Sequence, residues 1–202
     1  MSHPMPRSKT LMRIAIAELE NISPYGQNKF VDVPKQNKEL ADDYEKRTWR
    51  ERSHYDTKTR ECYIPATCFK ACIRDAAKFL SAQIPGKGKS TWTKHFKAGI
   101  MVVDNLPLRV KVEDIKGHWQ LVPSGGGGNP NGPKVQKCFP CFQSWSGTVQ
   151  FYIIDDLITE EAFEYHLGQA GSLIGIGVYR PQNGGIWGRF KVKSCKISKK
   201  KE

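Results

Sequence analysis

Residues 11–18 alternate. Met12, Ile14 and Ile16 share one face and Arg13, Ala15 and Ala17 the other, the period of two expected of a strand. Residues 21–59 break this pattern. They are polar and charged, carry Pro24, Gly26 and Pro34, and predict no core element, only a short helix around residues 39–49. A helical period returns at residues 65–81. Phe69, Cys72, Ile73, Ala76 and Leu80 form one apolar face, and Pro65 stands just ahead of it, where proline is tolerated. Lys70, Arg74 and Lys78 recur every four residues as a basic stripe on another face. A lysine-rich loop follows at 85–97, then two apolar, β-rich stretches at 99–104 and 108–112. Residues 122–141 contain four consecutive glycines at 125–128, with Pro130, Gly132, Pro133 and Pro140 after them. That composition predicts a flexible excursion outside the core.

Alternation resumes at 148–154 through Val149, Phe151 and Ile153. Thr159 is placed to cap a helix reaching Leu167, Glu160 and Glu161 suit its positive end, and Gly168 or Gly171 can terminate it. The last strand spans 185–197, with Phe190 and Val192 on one side and Arg189, Lys191 and Lys193 on the other. The order strand, helix, two strands or a hairpin, helix, strand predicts an α+β, ferredoxin-like (RRM-like) βαββαβ core. Four antiparallel strands would carry both helices on one face and leave the other free, as in RNA-recognition modules. The expected organisation is a single domain over 1–202. It has insertions at about 24–60 and 122–143 and a basic C-terminal tail at 196–202.

Charge adds direction to this frame. Thirty-two Lys and Arg stand against twenty Asp and Glu, a formal net charge of +12. No acid occurs in residues 76–103 or 165–201, whereas acids gather at 39–45 and 155–164. Segregated positive charge points to a polyanionic partner. No apolar run approaches the ~20 residues of a membrane span, and the first ten residues lack an apolar signal core. The expectation is a cytoplasmic protein without a membrane partner.

The richest segment is Ile174-Gly-Ile-Gly-Val-Tyr-Arg-Pro-Gln-Asn-Gly-Gly-Ile-Trp-Gly-Arg-Phe190. Its glycines, Gly175 and Gly177 first among them, permit positive φ and close backbone approach, and their N–H groups could converge on a phosphate. Arg180 and Arg189 offer bidentate phosphate contacts, and Tyr179 and Trp187 offer stacking faces for bases. Lys70 and Arg74 on the first helix, Lys87, Lys89 and Lys94 in the lysine-rich loop, and Lys191 on the last strand complete the candidate strand-binding set.

Other chemistries fit less well. Gly175-Ile-Gly177 is too short for a dinucleotide fingerprint and follows a helix, and Gly88-Lys89-Ser90 lacks the leading glycine of a P-loop, so no cofactor is expected. Cys138-Phe-Pro-Cys141 is half a zinc site at best, which leaves Cys138 and Cys141 as weak metal candidates. The five histidines are scattered with no catalytic signature, and His95 and His166 read as loop and packing residues. Asp32, in the long insertion, is the one weak catalytic candidate, for metal-assisted strand cleavage. These residues favour binding over catalysis.

Two segments together resemble the RAMP superfamily, the repeat-associated RNA-binding backbone proteins of CRISPR effector complexes. Tyr63-Ile-Pro-Ala-Thr-Cys-Phe-Lys-Ala-Cys-Ile-Arg74 is similar to that family's strand-to-helix signature. Residues 175–190 are similar to its C-terminal glycine-rich loop, although Pro181 to Gly184 lengthen it. The resemblance implies RNA contact by Lys70, Arg74, Arg180 and Arg189, with the two insertions acting as finger and thumb. It also implies self-association along the strand, within a homo-oligomer or multisubunit ribonucleoprotein. Single-stranded DNA remains an alternative to RNA. A metal-dependent endoribonuclease subunit using Asp32 is one alternative function. A phage or mobile-element single-strand-binding or anti-defence protein is another.

Overall fold

The computed structural model describes residues 12–124 and 132–199. The start of the first predicted strand at Leu11, the glycine run at 125–128 and the tail at 200–202 lie outside them.

Among the described residues, four strands form the main sheet: β1 (Arg13–Asn21), β4 (Ile100–Val102), β8 (Ser146–Ile153) and β9 (Phe190–Lys199). Their spatial order is β4-β8-β1-β9 and every neighbouring pair is antiparallel. With α2 (Ala66–Leu80) after the first of these strands and α4 (Glu160–Gln169) after the third, this is the split βαβ arrangement of the ferredoxin-like fold. The expected α+β class is therefore present. In register, Ala15 faces Phe151 on β8 and Ile197 on β9.

The alternation of β1 sorts in an instructive way. Its alanines and Leu19 are fully buried, while Ile16 is 44% exposed. The helices take the alanine side, because the bulk of that face comes from neighbours: Phe151 meets Phe163 of α4 at 5.3 Å, and Phe69 of α2 meets Phe190 at 6.3 Å. Ile14 and Ile16 belong to the open face.

The region 24–60 is not the coreless insertion its polarity predicts. The short helix expected around 39–49 is α1 (Ala41–Thr48), and beyond it the region contributes β2 (Tyr25–Gly26) and a 3-10 turn at Trp49–Arg52. Tyr25, Thr48, Trp49 and Ser53 are buried. Likewise, the described parts of 122–141 do not form the loose excursion their composition predicts. β6 (Lys116–Pro123) and β7 (Lys134–Phe142) pair as a hairpin and join β2 in a second sheet of order β2-β7-β6. Its inner half, Cys138 to Phe142, is buried. The two insertions thus pack on each other as one lobe. Their joint is Glu45, whose side chain is 1% exposed and accepts from Arg52 Nη2 and Lys137 Nζ at 2.9 Å and from the Cys138 N–H at 2.9 Å. Burial opposes its charge, yet these bonds hold its carboxyl below the ordinary range.

The stretch at 108–112 also departs from expectation. It lies in β5 (Leu106–Lys111), which pairs with β3 (Glu61–Ile64) and not with the main sheet. Thr159 does cap α4, its Oγ1 accepting the Ala162 N–H at 3.1 Å. Neither Gly168 nor Gly171 ends that helix; it passes into a π-helical segment, Ala170–Ile174, and stops at Gly175, where φ is +70°. The short α3 (Thr93–Ala98) leads into β4.

Candidate nucleic-acid interface

The glycine-rich loop is a packed crossing, not an open cradle. The N–H groups of Gly175, Gly184, Gly185 and Gly188 donate to the carbonyls of Ala170, Pro181, Arg180 and Pro24. These four are spent inside the protein, so they do not make the convergent phosphate cradle that the glycine content predicts. The glycines are required by backbone approach instead: a Cβ at Gly185 would strike the Tyr179 carbonyl, and one at Gly188 the Ile176 carbonyl. Trp187 is corrected in the same way. It is buried, edge-on to His118 at 4.8 Å and to Tyr179 at 5.3 Å, and offers no stacking face. Tyr179 is half-buried between Phe139 and Trp187, with a φ of +53° that sharpens the turn.

The arginines are what the loop presents. Cys72 of α2 donates its Sγ–H to the carbonyl of Ala170, which docks the π-helical segment on α2. One turn along, Asp75 takes Arg74 at 2.7 Å and faces Arg180 at 3.7 Å. Two arginines from segments about a hundred residues apart therefore share one carboxylate, with a net positive charge left over. At 3.7 Å the Arg180 pairing is electrostatic without a hydrogen bond, so its guanidinium keeps donors for an incoming oxyanion. Arg189 is tied back through Nε to the Ser172 carbonyl at 3.0 Å.

The lysines divide. Lys70 is drawn inward: its Nζ caps α3 by donating to the carbonyls of Phe96 and Lys97, each at 2.9 Å. Burial and the neighbouring Arg74 push its pKa down. It is a helix cap before it is a phosphate ligand. Lys191 pairs with Glu20 at 3.0 Å on the sheet. Lys87, Lys89 and Lys94 are exposed, as is Lys78 at the far end of the α2 stripe.

Beside the glycine loop lies a cleft of about 270 Å³ lined by Tyr25, Gln27, His54, Cys68 and Gly177. Gln27 builds it, donating to the Tyr63 carbonyl and accepting the His54 N–H, both at 2.7 Å. Burial, with help from Lys29, lowers the pKa of His54. Nothing in the sequence marked this histidine, because its neighbours come from residues 25–27, 68 and 177. His95 is not the solvated loop residue its setting predicted; its Nδ1–H donates to Asp155 Oδ2 at 2.6 Å.

The weak candidates stay apart. Asp32 is exposed in the connection between β2 and α1. Cys138 and Cys141 sit three positions apart on β7, so their side chains leave opposite faces of the strand and cannot share an ion. Burial raises the pKa of all six thiols, that of Cys138 to about 12. Among the described residues no three His, Cys, Asp or Glu side chains gather as a metal site requires. No helix among them is long and apolar enough to cross a membrane.

No protein-family model matches the chain, and no curated protein does. Solved structures similar to it include a chain of the type III-B Cmr-beta complex bound to cognate target RNA. That similarity has 11% identity and a TM-score of 0.49, over 94% of this chain and 61% of that one. Cmr6 from Pyrococcus furiosus is similar at 15% identity and TM-score 0.44, over 93% of this chain and 100% of its own. A chain of a CRISPR RNA-guided surveillance complex is similar at 7% identity and TM-score 0.37, over 92% and 68%. This chain thus spans about three-fifths of the first. At these identities and scores the likeness assigns no residue a role.

Proposed function

We propose that this chain is a non-catalytic subunit that binds single-stranded RNA within a ribonucleoprotein complex, of the CRISPR-effector kind that its sequence motifs resemble. The observation that carries the reading is the meeting of Arg74 and Arg180 at Asp75. The two segments that bear the sequence resemblance are packed together there, and each presents a guanidinium. A phosphate arriving at Arg180 competes only with a loose 3.7 Å pair. The exposed Lys78, Lys87, Lys89 and Lys94 extend the positive field beyond α2. Self-association is part of the proposal. Ile16 and Met101, 44% and 42% exposed on the open sheet face, supply an apolar surface for a neighbouring copy.

Photocrosslinking to RNA carrying 4-thiouridine tests the reading. Crosslinked peptides are expected from residues 66–80 and 174–189. Crosslinks absent from both segments would overturn it.

A further inference from the structure

A separate group of cations stands on the lobe, apart from the arginine pair and the lysine-rich loop. It borders a cleft of about 460 Å³, within the ordinary range for small-ligand sites. Lys29, Arg52 and Lys137 line this cleft together with Asn28 and Phe30. Arg52 and Lys137 come from the two different insertions and meet on Glu45, each at 2.9 Å. Three cations against that one buried carboxylate leave a surplus of two positive charges.

The polar atoms left open in the cleft are donors. Glu45 takes one of the three ammonium hydrogens of Lys137, whose side chain is 33% exposed. Lys29 is exposed, with its Nζ 5.7 Å from the centre of the Tyr55 ring. Asn28 Oδ1 is committed to Arg52 Nη1 at 2.9 Å, which leaves the amide Nδ2 to donate. The Tyr44 hydroxyl is spent on the Val33 carbonyl at 2.7 Å. No carboxylate lines the cleft among the described residues. Open donors, surplus positive charge and no open side-chain acceptor select an oxyanion. Phe30, 83% exposed, adds a bare aromatic face. An aromatic face beside cations fits a base together with its phosphate.

The cleft is within reach of the arginine pair. It shares Asn28 with the cleft of about 270 Å³ beside the glycine loop. Main-chain bonds fix both ends of the segment between them. The Val178 N–H, two residues before Arg180, donates to the Gly26 carbonyl at 3.0 Å, and the Lys29 N–H donates to the Arg52 carbonyl at 2.8 Å. The chain from Gly26 to Lys29 spans at most roughly 11 Å.

We infer that the cleft between residues 28–31 and β7 binds one nucleotide, with its phosphate on Lys29, Lys137 and Asn28 and its base against Phe30. The inference rests on the strand-binding reading for the source of that nucleotide, since a free nucleotide carries the same chemistry.

Equilibrium dialysis of adenosine 5′-monophosphate against adenosine, at low salt, tests the cleft alone. The native protein is expected to hold the monophosphate roughly tenfold more tightly, the order of one hydrogen bond to a charged group. Lys29→Gln leaves every bond of Glu45 in place and should remove most of that preference. Phe30→Ala should weaken both ligands by a similar factor, roughly tenfold for one stacked base. Both variants replace exposed side chains, so neither disturbs the core. Equal binding of the two ligands, binding of neither, or a preference that survives Lys29→Gln would overturn the cleft assignment. The affinity of the same proteins for an unstructured RNA identifies the source, and each variant is expected to lose roughly tenfold. If both variants bind RNA as the native protein does while Arg180→Ala binds it weakly, the strand reading stands and the strand does not enter this cleft. If the monophosphate is held selectively but the native protein binds no RNA, the source is a free nucleotide and the strand reading falls.

Discussion

At Gly188 the backbone has φ +73° and lies against the Ile176 carbonyl. An alanine there meets both an unfavourable dihedral and a collision with main chain. Gly188→Ala is therefore expected to lower stability by about 1–3 kcal/mol or more, read as an earlier denaturant midpoint with unchanged slope. Gly184→Ala provides the contrast. Its φ is +78°, but nothing lies within 4 Å, so only the dihedral is penalised. A second prediction concerns two imidazoles. Burial holds His54 and His166 below the ordinary value, with Lys29 adding to the effect at His54. Their stability contribution is complete above the unfolded value near pH 6.5. As the pH falls below it, the unfolded chain binds protons that the folded one refuses, and stability drops. The thermal midpoint should fall between about pH 7 and 5.5, and fall less in His166→Phe; a flat profile would contradict this. Residue-level chemistry was legible where it is local. Thr159 announced its cap because donor and acceptor are three residues apart. Trp187 did not announce its burial, because its partners include His118 in another part of the chain.

The same distinction holds for whole elements. β1, α2, β8 and β9 could be read from period, since each turns one regular face to a shared core. The last strand, expected from residue 185, begins at Phe190, because residues 185–189 belong to the glycine-rich crossing. The helix α4 could be read from its cap and first-turn acids. The lobe built from 24–60 and 134–142 could not. Its packing depends on a polar joint, Glu45, whose partners Lys137 and Cys138 lie more than ninety residues away. Periodicity cannot register a core organised around a buried carboxylate. Removing that joint strands Lys137, Arg52 and the Cys138 N–H together. Glu45→Ala is expected to cost about 3 kcal/mol and to expose the lobe to proteolysis before the main sheet. Equal cleavage of both regions would show that the lobe does not hang on Glu45. The glycine loop illustrates the opposite error. Its composition pointed to phosphate binding, yet the N–H groups of Gly175, Gly184, Gly185 and Gly188 serve the crossing between α4 and β9, and the proposed strand contact rests instead on Arg74 and Arg180.

Across the molecule, segregated charge and element order were both visible in the sequence, and together they predicted a positively charged ferredoxin-like frame. Their relative placement needed the fold, which brings the α2 stripe and the C-terminal loop onto one carboxylate. The central claim is that Arg74 and Arg180 are phosphate ligands for an unpaired strand. The salt dependence of affinity for an unstructured RNA tests it most directly, with native protein compared against R74A/R180A. For single strands each phosphate contact contributes about 0.7 to the slope of log K against log salt. The account predicts a steep linear fall for the native protein, a slope shallower by about 1.4 in the double variant, and weaker binding at every salt concentration. Superimposable lines for the two proteins would contradict it.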